Sequence, residues 1–472
     1  MTLRATGEEE GTMVRTGERL SIFTFPDARL LIRLSPTLLA VGNYGVRPFR
    51  VTCGFQTVSC ELIPDASARS SQALLSSGLM GRLHMNDMPT PMHASLRDGQ
   101  LKIGPNVGIL CNPRWDSRTK TLRSTSQLLA LQKLLEAAEK TGVRAYLFRV
   151  EDIDFDNLSV RAYVLTTRGW RGVRAPLPDV IYDQLISRRR ERSEQHAKLR
   201  VKLSKLYGDR IFNDGFFDKW QVHEWLSKEK RMLPHLPKTI RYTGNQAAHE
   251  FVKKHDTIYM KPVHGSLGLG IVKVANQSDG TLTYEIKRPN QAPVSGRASS
   301  ASDMMKSFRK RLTGRPYVLQ QGIPLATYEG RPFDIRILLQ RDGTGEWKRT
   351  KAFARITKQG DITSNLSSGG EAMSMTEVLE RIFPNKDKRR RCKAQVQRVS
   401  RWVAEAVEQN SGKTFGELGV DLGVDPTGHV WVIEVNSKPW KSPTTEKGSQ
   451  QIVDLAFERP IQYAAWLAEH KP

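Results

Sequence analysis

The sequence predicts an α+β protein of several domains, and three observations predict it. Short β-prone runs broken by Pro, Gly, Asn and Ser fill residues 21–105. A strand, a long helical stretch and a second strand follow one another between residues 107 and 150. Beyond residue 206, stretches of helical periodicity alternate with strands to the end of the chain.

Taken in order, residues 1–20 are polar without periodicity and are expected to form a mobile tail. Residues 21–105, with β-prone runs such as 29–34 and 49–53, are expected to form a small β-rich domain. Residues 106–205 are expected to form an α/β domain. Its strands are the apolar runs 107–111 and 145–150, and the helix between them, 126–141, carries Leu128, Leu131, Leu134, Leu135 and Ala138 at the spacing of a buried face. A basic helical connector, 186–206, leads into the last domain. That domain, 206–472, is read in two halves, 206–319 and 320–472, with helices near 218–230, 245–254, 374–383, 393–410 and 448–468, the last bent at Pro460.

The 472 residues are 39% hydrophobic and 26% charged, which is material for a globular protein rather than a disordered one. No run approaches the roughly 20 apolar residues of a membrane helix, and Glu8, Glu9 and Glu10 stand where a signal peptide would be apolar, so a cytoplasmic protein without a membrane partner is expected. Cys53, Cys60, Cys111 and Cys392 form no Cys-x-x-Cys pair, which excludes a zinc ribbon and leaves plain thiols. Cys392 alone lies in a basic run able to lower its pKa. With 73 Lys plus Arg against 49 Asp plus Glu, the net charge of +24 attracts polyanions. Two dense patches contribute, residues 188–192 and 386–393; each reads first as a solvated face and second as a binding patch.

Three segments carry chemistry. Lys261-Pro262-Val263-His264-Gly265-Ser266-Leu267-Gly268-Leu269-Gly270 lies between the β-prone runs 257–260 and 271–274, a hairpin whose glycines let backbone amides close on an anion. It is neither a P-loop nor a dinucleotide fingerprint, because the following Lys-Ser/Thr and the following helix are both missing. Gly419-Val420-Asp421-Leu422-Gly423 and Val430-Trp431-Val432-Ile433-Glu434-Val435-Asn436 flank a Pro-Thr-Gly-His turn and form a second hairpin. Strict alternation puts Glu434 and Asn436 on one face and Trp431, Ile433 and Val435 on the other. An even-numbered loop sets Asp421 opposite Glu434; an odd one turns Asp421 away. Three such oxygen donors with room for phosphate suit Mg²⁺.

The third segment is the strand around Phe333-Asp334-Ile335-Arg336-Ile337-Leu338-Leu339. It sets Asp334 and Arg336 on one face and Phe333, Ile335, Ile337 and Leu339 on the core face. A further strand ends in Arg355. Either arginine presents a fork suited to phosphate or carboxylate, and serves equally well as an ion-pair partner of Asp334 or Glu371. Residues 363–370 form a polar, glycine-ended loop able to fold over a ligand.

These blocks, together with Gln320-Gln321-Gly322-Ile323, Gly360-Asp361-Ile362 and Glu434-Val435-Asn436-Ser437-Lys438-Pro439, resemble the ATP-grasp superfamily over residues 261–439. The likeness extends to ligases of the ribosomal-protein-S6 glutamate type. The wording Leu-Gln-Gln-Gly-Ile and Glu-Val-Asn-Ser-Lys-Pro-Trp is most similar to the YheC/YheD family of spore-forming bacteria, described as spore-coat-associated. The resemblance implies an ATP-grasp domain over 206–472 whose two α+β halves grip ATP, preceded by an α/β pre-ATP-grasp domain and the β-rich domain.

It also implies roles. Lys219 and Lys261 meet phosphate, as does the glycine loop with Gly265, Ser266, Gly268 and Gly270. Gln320, Gln321, Gly322 and Ile323 form the adenine hinge, and Asp334 lies at the ribose. Arg336, Arg355 and Asn365 act in catalysis, with Thr363 and Ser364 beside Asn365 at the nucleotide. Asp421, Glu434 and Asn436 hold one or two Mg²⁺ ions, for which Mn²⁺ could substitute. One position departs from the superfamily pattern: the usual hinge acid is Gln321 here.

The implied reaction is ADP-forming ligation of an unidentified carboxylate to an unidentified amine through an acyl phosphate. The rival reading is a nucleotide-binding structural protein of a spore coat without turnover. An acidic polymer or spore-coat components are further expected partners, and nucleic acid is disfavoured although the charge of +24 would draw it.

Overall fold

Along residues 49–53 the side chains of Phe49, Val51 and Cys53 are buried and that of Arg50 is exposed, the alternation of a strand with one apolar face. In the computed structural model such strands close into a barrel in the order Arg19–Phe25, Gln72–Ser76, Leu31–Leu34, Gln56–Pro64, Phe49–Cys53, Gln100–Ile103, Met92–Arg97. The structure describes residues 19–42, 48–88, 92–97, 99–265, 268–288, 291–308, 312, 314–360, 369–444 and 448–471. Nearly all of the expected tail, with Ser266, Thr363, Ser364 and Asn365, lies outside the described residues.

The chain divides into two compact units, residues 1–181 and 182–472. The first holds the barrel and an α/β layer. In that layer Asn106–Leu110 pairs in parallel with Arg144–Asp154, and helix Leu128–Thr141 makes the crossover. Leu131, Leu134, Leu135 and Ala138 are buried as the spacing predicts, and Gly142 ends the helix in the left-handed conformation.

The second unit contains two antiparallel sheets. One has the order Thr239–Arg241, Tyr317–Gln321, Thr257–Pro262, Val272–Asn276, Leu282–Arg288, Gln291–Ala298. Its core includes Ala248 and Val252 from helix Asn245–Lys253, and Met304 and Met305 from helix Ala301–Ser307. The other has the order Glu371–Ser374, Trp347–Ile356, Arg331–Arg341, Glu417–Val424, Val430–Asn436. Phe333, Ile335, Ile337 and Leu339 face the core of this sheet, where they meet Val396, Val399 and Val403 of helix Lys386–Ser411.

That helix begins seven residues before the expected 393, because Asn385 caps it and the whole basic run is helical. It buries Cys392, and burial pushes the thiol up to about 11, which overrides the effect of the neighbouring Lys388. All four cysteines are buried and none is in a disulfide. The last helix, Gln450–His470, runs on through Pro460. Among the described residues no helix is long and apolar enough to cross a membrane.

Candidate nucleotide site

The acid hairpin sets the geometry. Val424 pairs with Val430 across a five-residue loop, which Asp425 ties by accepting the Thr427 and His429 amides at 2.9 and 3.0 Å. The loop is odd-numbered, yet Asp421 does pair with Glu434, because the register shifts by one residue between Leu422–Val432 and Asp421–Glu434. Ile433 is the extra residue of this β-bulge. The bulge also overturns the expected alternation: Val430, Val432 and Val435 enter the core, whereas Ile433 turns to the acid face and lines the cleft there.

Next to this hairpin, Arg336 pairs in register with Asp421, and Asp334 with Arg355. Directly paired residues share a face, so the sheet presents Asp334, Arg336, Arg355, Asp421 and Glu434 together. Arg355 forks onto Asp334 with two contacts of 2.7 Å and reaches Asp421 Oδ2 at 2.9 Å. All three are buried, and the two carboxylates hold the guanidinium above its usual pKa against the opposing effect of burial. Arg336 Nε lies 2.6 Å from Asp421 Oδ1, but its N–H is not directed at that oxygen, which is buried without a hydrogen bond.

Lys219 opens helix Lys219–Ser227, capped by Asp218. Its Nζ bridges Glu434 Oε1 at 2.7 Å and the Gly265 carbonyl at 3.1 Å, which ties the glycine loop to the acid hairpin. Burial alone would raise the Glu434 carboxyl; the cations Lys219, Lys261 and Arg336 hold it below its usual value. Lys261, on Thr257–Pro262, donates to Gln320 Oε1 at 2.5 Å. Burial pulls its ammonium down to about 8, with Lys219 adding to the depression and Glu434 and Asp421 opposing it. In the loop that follows, Gly268 and Gly270 have φ of +71° and +77°, which suits glycine.

Of the residues expected to form the adenine hinge, Gln320 and Gln321 end strand Tyr317–Gln321, and Gly322 and Ile323 follow it. The Gln321 amide donates to the Lys238 carbonyl at 2.8 Å, and its side-chain Oε1 accepts from the Lys238 amide at 3.3 Å, so the residue replacing the usual acid is engaged with backbone.

One cleft is lined by Lys219, Lys261, Gly265, Gly268, Gln320, Gln321, Ile323, Asp334, Arg355, Asp421 and Glu434. Asn436 instead borders an adjoining cavity, which also touches Lys219 and Glu434. Arg336, Gly270 and Gly322 line neither cavity. Sequence reasoning missed Tyr259, Lys273, Leu325 and Ile433, which also line the cleft. Tyr259 was findable, since it stands two residues before Lys261 and shares its face, and Lys273 pairs with Tyr259. Four cations that line the cleft, Lys219, Lys261, Lys273 and Arg355, oppose the carboxylates of Asp334, Asp421 and Glu434, and the apolar side chains of Ile323, Leu325 and Ile433 form a wall.

A metal finds oxygen donors on this face. Asp421 Oδ1 accepts no hydrogen bond and, among the described residues, faces only the Arg336 guanidinium, hydrogen bonds to Glu434 use Oε1 alone, and the Asn436 side chain makes none to a described residue. Among the described residues no group of three His, Cys, Asp or Glu side chains is placed to hold a metal, so Asp421 and Glu434 need further oxygens, such as those of phosphate.

Comparison with known proteins gives three findings. A family model of YheC/D-like ATP-grasp proteins matches residues 208–467. The endospore coat-associated protein YheD of Bacillus subtilis (strain 168) is 30% identical over 376 residues, 79% of this chain and 81% of that protein. Endospore coat-associated protein YheC of the same organism is 27% identical over 339 residues, 71% and 91%. Among solved structures, D-alanyl-alanine synthetase A from Vibrio cholerae aligns with a TM-score of 0.42 at 10% identity, covering 71% of this chain and 89% of that one. D-cycloserine synthetase DcsG aligns at 0.41 and 14%, covering 77% and 99%.

Proposed function

Since the chain belongs to the YheC/D-like ATP-grasp family, we propose that it binds Mg-ATP in the cleft of residues 182–472 and uses it to activate a carboxylate for ligation to an amine or related nucleophile. The observation that carries this reading is the gathering of Asp421, Glu434, Lys219, Lys261 and Arg355 around one cleft. Asp421, Glu434 and Asn436 would hold the metal, one ion or two, the ion taking the place of Arg336 at Asp421 Oδ1, which accepts no hydrogen bond. When bound, Mg²⁺ would supply charge neutralisation to the phosphate oxygens.

The chain's own residues would do the rest. Lys219 and Lys261 pair with phosphate. Arg336 and Arg355 neutralise charge that develops on phosphoryl transfer, while Asp334 holds Arg355 in place. Gln320, Gln321, Gly322 and Ile323 offer the hinge to adenine against the apolar wall. Thr363, Ser364 and Asn365, outside the described residues, belong to the loop that would cover the phosphates, and Ser266 to the glycine loop. In the reaction a substrate carboxylate oxygen bonds to the γ-phosphorus of ATP as its bond to the bridging oxygen breaks. ADP leaves, and the nucleophile then displaces phosphate from the acyl phosphate.

Calorimetry tests the reading. The protein should bind Mg-ATP, and Glu434→Gln/Asn436→Ala should bind it at least about tenfold more weakly. No binding by the unaltered protein, or unchanged binding by the variant, would sink it. A second reading is a non-catalytic nucleotide-binding component of a spore coat. It is favoured by the names of the two relatives and by Gln321 in place of an acid. ADP release stimulated by a carboxylate and amine pool decides for the ligase; binding without such stimulation decides for the structural role. The protein would act in the cytoplasm or at the spore coat.

A further inference from the structure

Where the acid hairpin ends, a side chain takes over from the ladder. The last paired residues of its two strands are Gly419 and Asn436; beyond them the chains part, and the Asn213 carboxamide lies between. Asn213 Oδ1 accepts the amides of Gly416 and Glu417 at 2.9 and 3.2 Å. Its Nδ2 donates to the Glu417 carbonyl at 2.7 Å and to the Ser437 carbonyl. One carboxamide thus uses its full hydrogen-bonding capacity on buried backbone groups of the two chains that carry Asp421 and Glu434.

The carboxamide is itself held. Asn213 is fully buried, and its backbone has φ of +60°, in the left-handed region that asparagine enters more readily than other residues with a Cβ. Its amide donates to the Thr414 carbonyl at 3.0 Å. The preceding Phe212 stacks on Tyr182 at 4.5 Å and packs edge-on to Tyr463 at 5.4 Å. Gly416 lets the Phe212 ring come close, since a Cβ there would lie 2.6 Å from it. Further along, the Gly215 carbonyl accepts the Ser437 hydroxyl at 2.7 Å, and Lys219 reaches Glu434. Residues 213–219 therefore hold the chain on either side of Asn436, at Glu434 and at Ser437.

We propose that Asn213 is a positioning residue for the metal ligands. By fixing the distance between the two strand ends, it holds Glu434 and Asn436 where they can share a divalent cation with Asp421. An uncommon backbone conformation that aims a buried carboxamide at both ligand-bearing strands fits this role. Asn213 lines neither cavity, so it acts through the strands and not by touching nucleotide. The proposal rests on the Mg-ATP reading and goes beyond it by predicting a loss specific to the metal. Ligand spacing matters to an ion that demands near-octahedral geometry, and far less to lysines that pair with phosphate.

The test measures by calorimetry the affinity of the full chain for a non-hydrolysable ATP analogue, once in excess EDTA and once in saturating MgCl2. Asn213→Gly, which keeps the backbone conformation, should bind at least about tenfold more weakly with Mg²⁺ and change less than about twofold in EDTA. Ser437→Ala removes only the tie to Gly215; it should lose about threefold with Mg²⁺, spare the EDTA affinity, and carry the test alone if Asn213→Gly does not fold. Val403→Ala, in the core behind the same sheet, controls for stability: it should lower the thermal midpoint and leave both affinities within about twofold. Equal losses in Mg²⁺ and EDTA, an unchanged Mg²⁺ affinity in Ser437→Ala, or a Mg²⁺-specific loss in Val403→Ala overturns the proposal. The unaltered protein separates this inference from the reading beneath it. No binding with Mg²⁺ removes both. Binding that Mg²⁺ does not tighten removes the metal ligands and the role of Asn213 with them. Binding that Mg²⁺ tightens equally in the unaltered protein and the variants removes the role of Asn213 alone.

Discussion

Replacing Lys261 by methionine should stabilise the nucleotide-free protein while weakening its hold on nucleotide. The lysine ammonium sits partly out of water, and burial brings its pKa from 10.5 to about 8. At about 1.4 kcal/mol per pH unit, that displacement costs the folded state roughly 3 kcal/mol below pH 8. Losing the hydrogen bond to Gln320 returns about 1 kcal/mol, so a net gain of about 2 kcal/mol is expected at pH 7. The unfolded chain keeps the proton up to pH 10.5 and the folded one releases it near 8. Unfolding therefore takes up a proton in that window, and the stability of the unaltered protein rises with pH there. The advantage of Lys261→Met should be full at pH 7 and shrink as pH rises through the window; above about 10.5, where the charge no longer costs anything, the variant should be about 1 kcal/mol the less stable for want of the hydrogen bond. Mg-ATP affinity should fall at least about tenfold with the loss of a charge-assisted contact to phosphate. Urea denaturation at neutral and alkaline pH, with calorimetry on the same samples, measures all three. A variant no more stable at pH 7, or a stability gap that does not shrink with rising pH, refutes the reasoning.

Two further substitutions probe the frame around the cleft. A Cβ at position 322 would lie 2.8 Å from Thr257 Cβ and 2.9 Å from its carbonyl oxygen, so Gly322→Ala must push the hinge away from Thr257. It should cost about 1 to 3 kcal/mol, read as a lower thermal midpoint together with weaker nucleotide binding; an unchanged midpoint contradicts the close approach. Arg355→Met leaves Asp334 and Asp421 buried without their shared cation and should cost about 3 to 5 kcal/mol in denaturant unfolding. Adding Asp334→Asn should recover more than about 1 kcal/mol, and no recovery would show that the buried pair is not the source of the loss.

The cleft was legible where a side chain's position follows from its neighbours in sequence. Asp334 and Arg336, and Glu434 and Asn436, are two apart on strands and so share faces. The glycine hairpin announced its own turn, and Lys261 came with it. What the sequence could not show was pairing between distant segments. Nothing near Arg355 says that it forks onto Asp334 rather than Glu371, which instead lies 3.7 Å from Arg331. Nothing near Lys219 says that a helix N-terminus delivers its ammonium to Glu434 across more than 200 residues of chain. Burial was equally invisible at Cys392, which the sequence presents as a plain thiol in a basic run able to lower its pKa, whereas the helix turns the sulfur inward and burial raises it.

The hairpin itself shows why parity alone could not decide the register. Across a five-residue loop, unbroken pairing would continue from Val424–Val430 to Leu422–Val432 and then set Asp421 against Ile433, with Glu434 opposite Val420 and facing the valine core. An ionised carboxylate there would be paired with nothing but apolar side chains, at a cost of several kcal/mol. Extruding Ile433 as a bulge forfeits local ladder regularity, which is much cheaper, and moves both Glu434 and Asn436 to the face of Asp421. The extruded side chain is not left in water either, since it becomes part of the apolar wall of the cleft. The same residue thus sets the register of the acids and shapes the space beside them. An even, six-residue loop closed by Val424 and Trp431 would set Asp421 opposite Glu434 without a bulge, but would pair Ile433 with Leu422 on the core face and so remove the Ile433 wall.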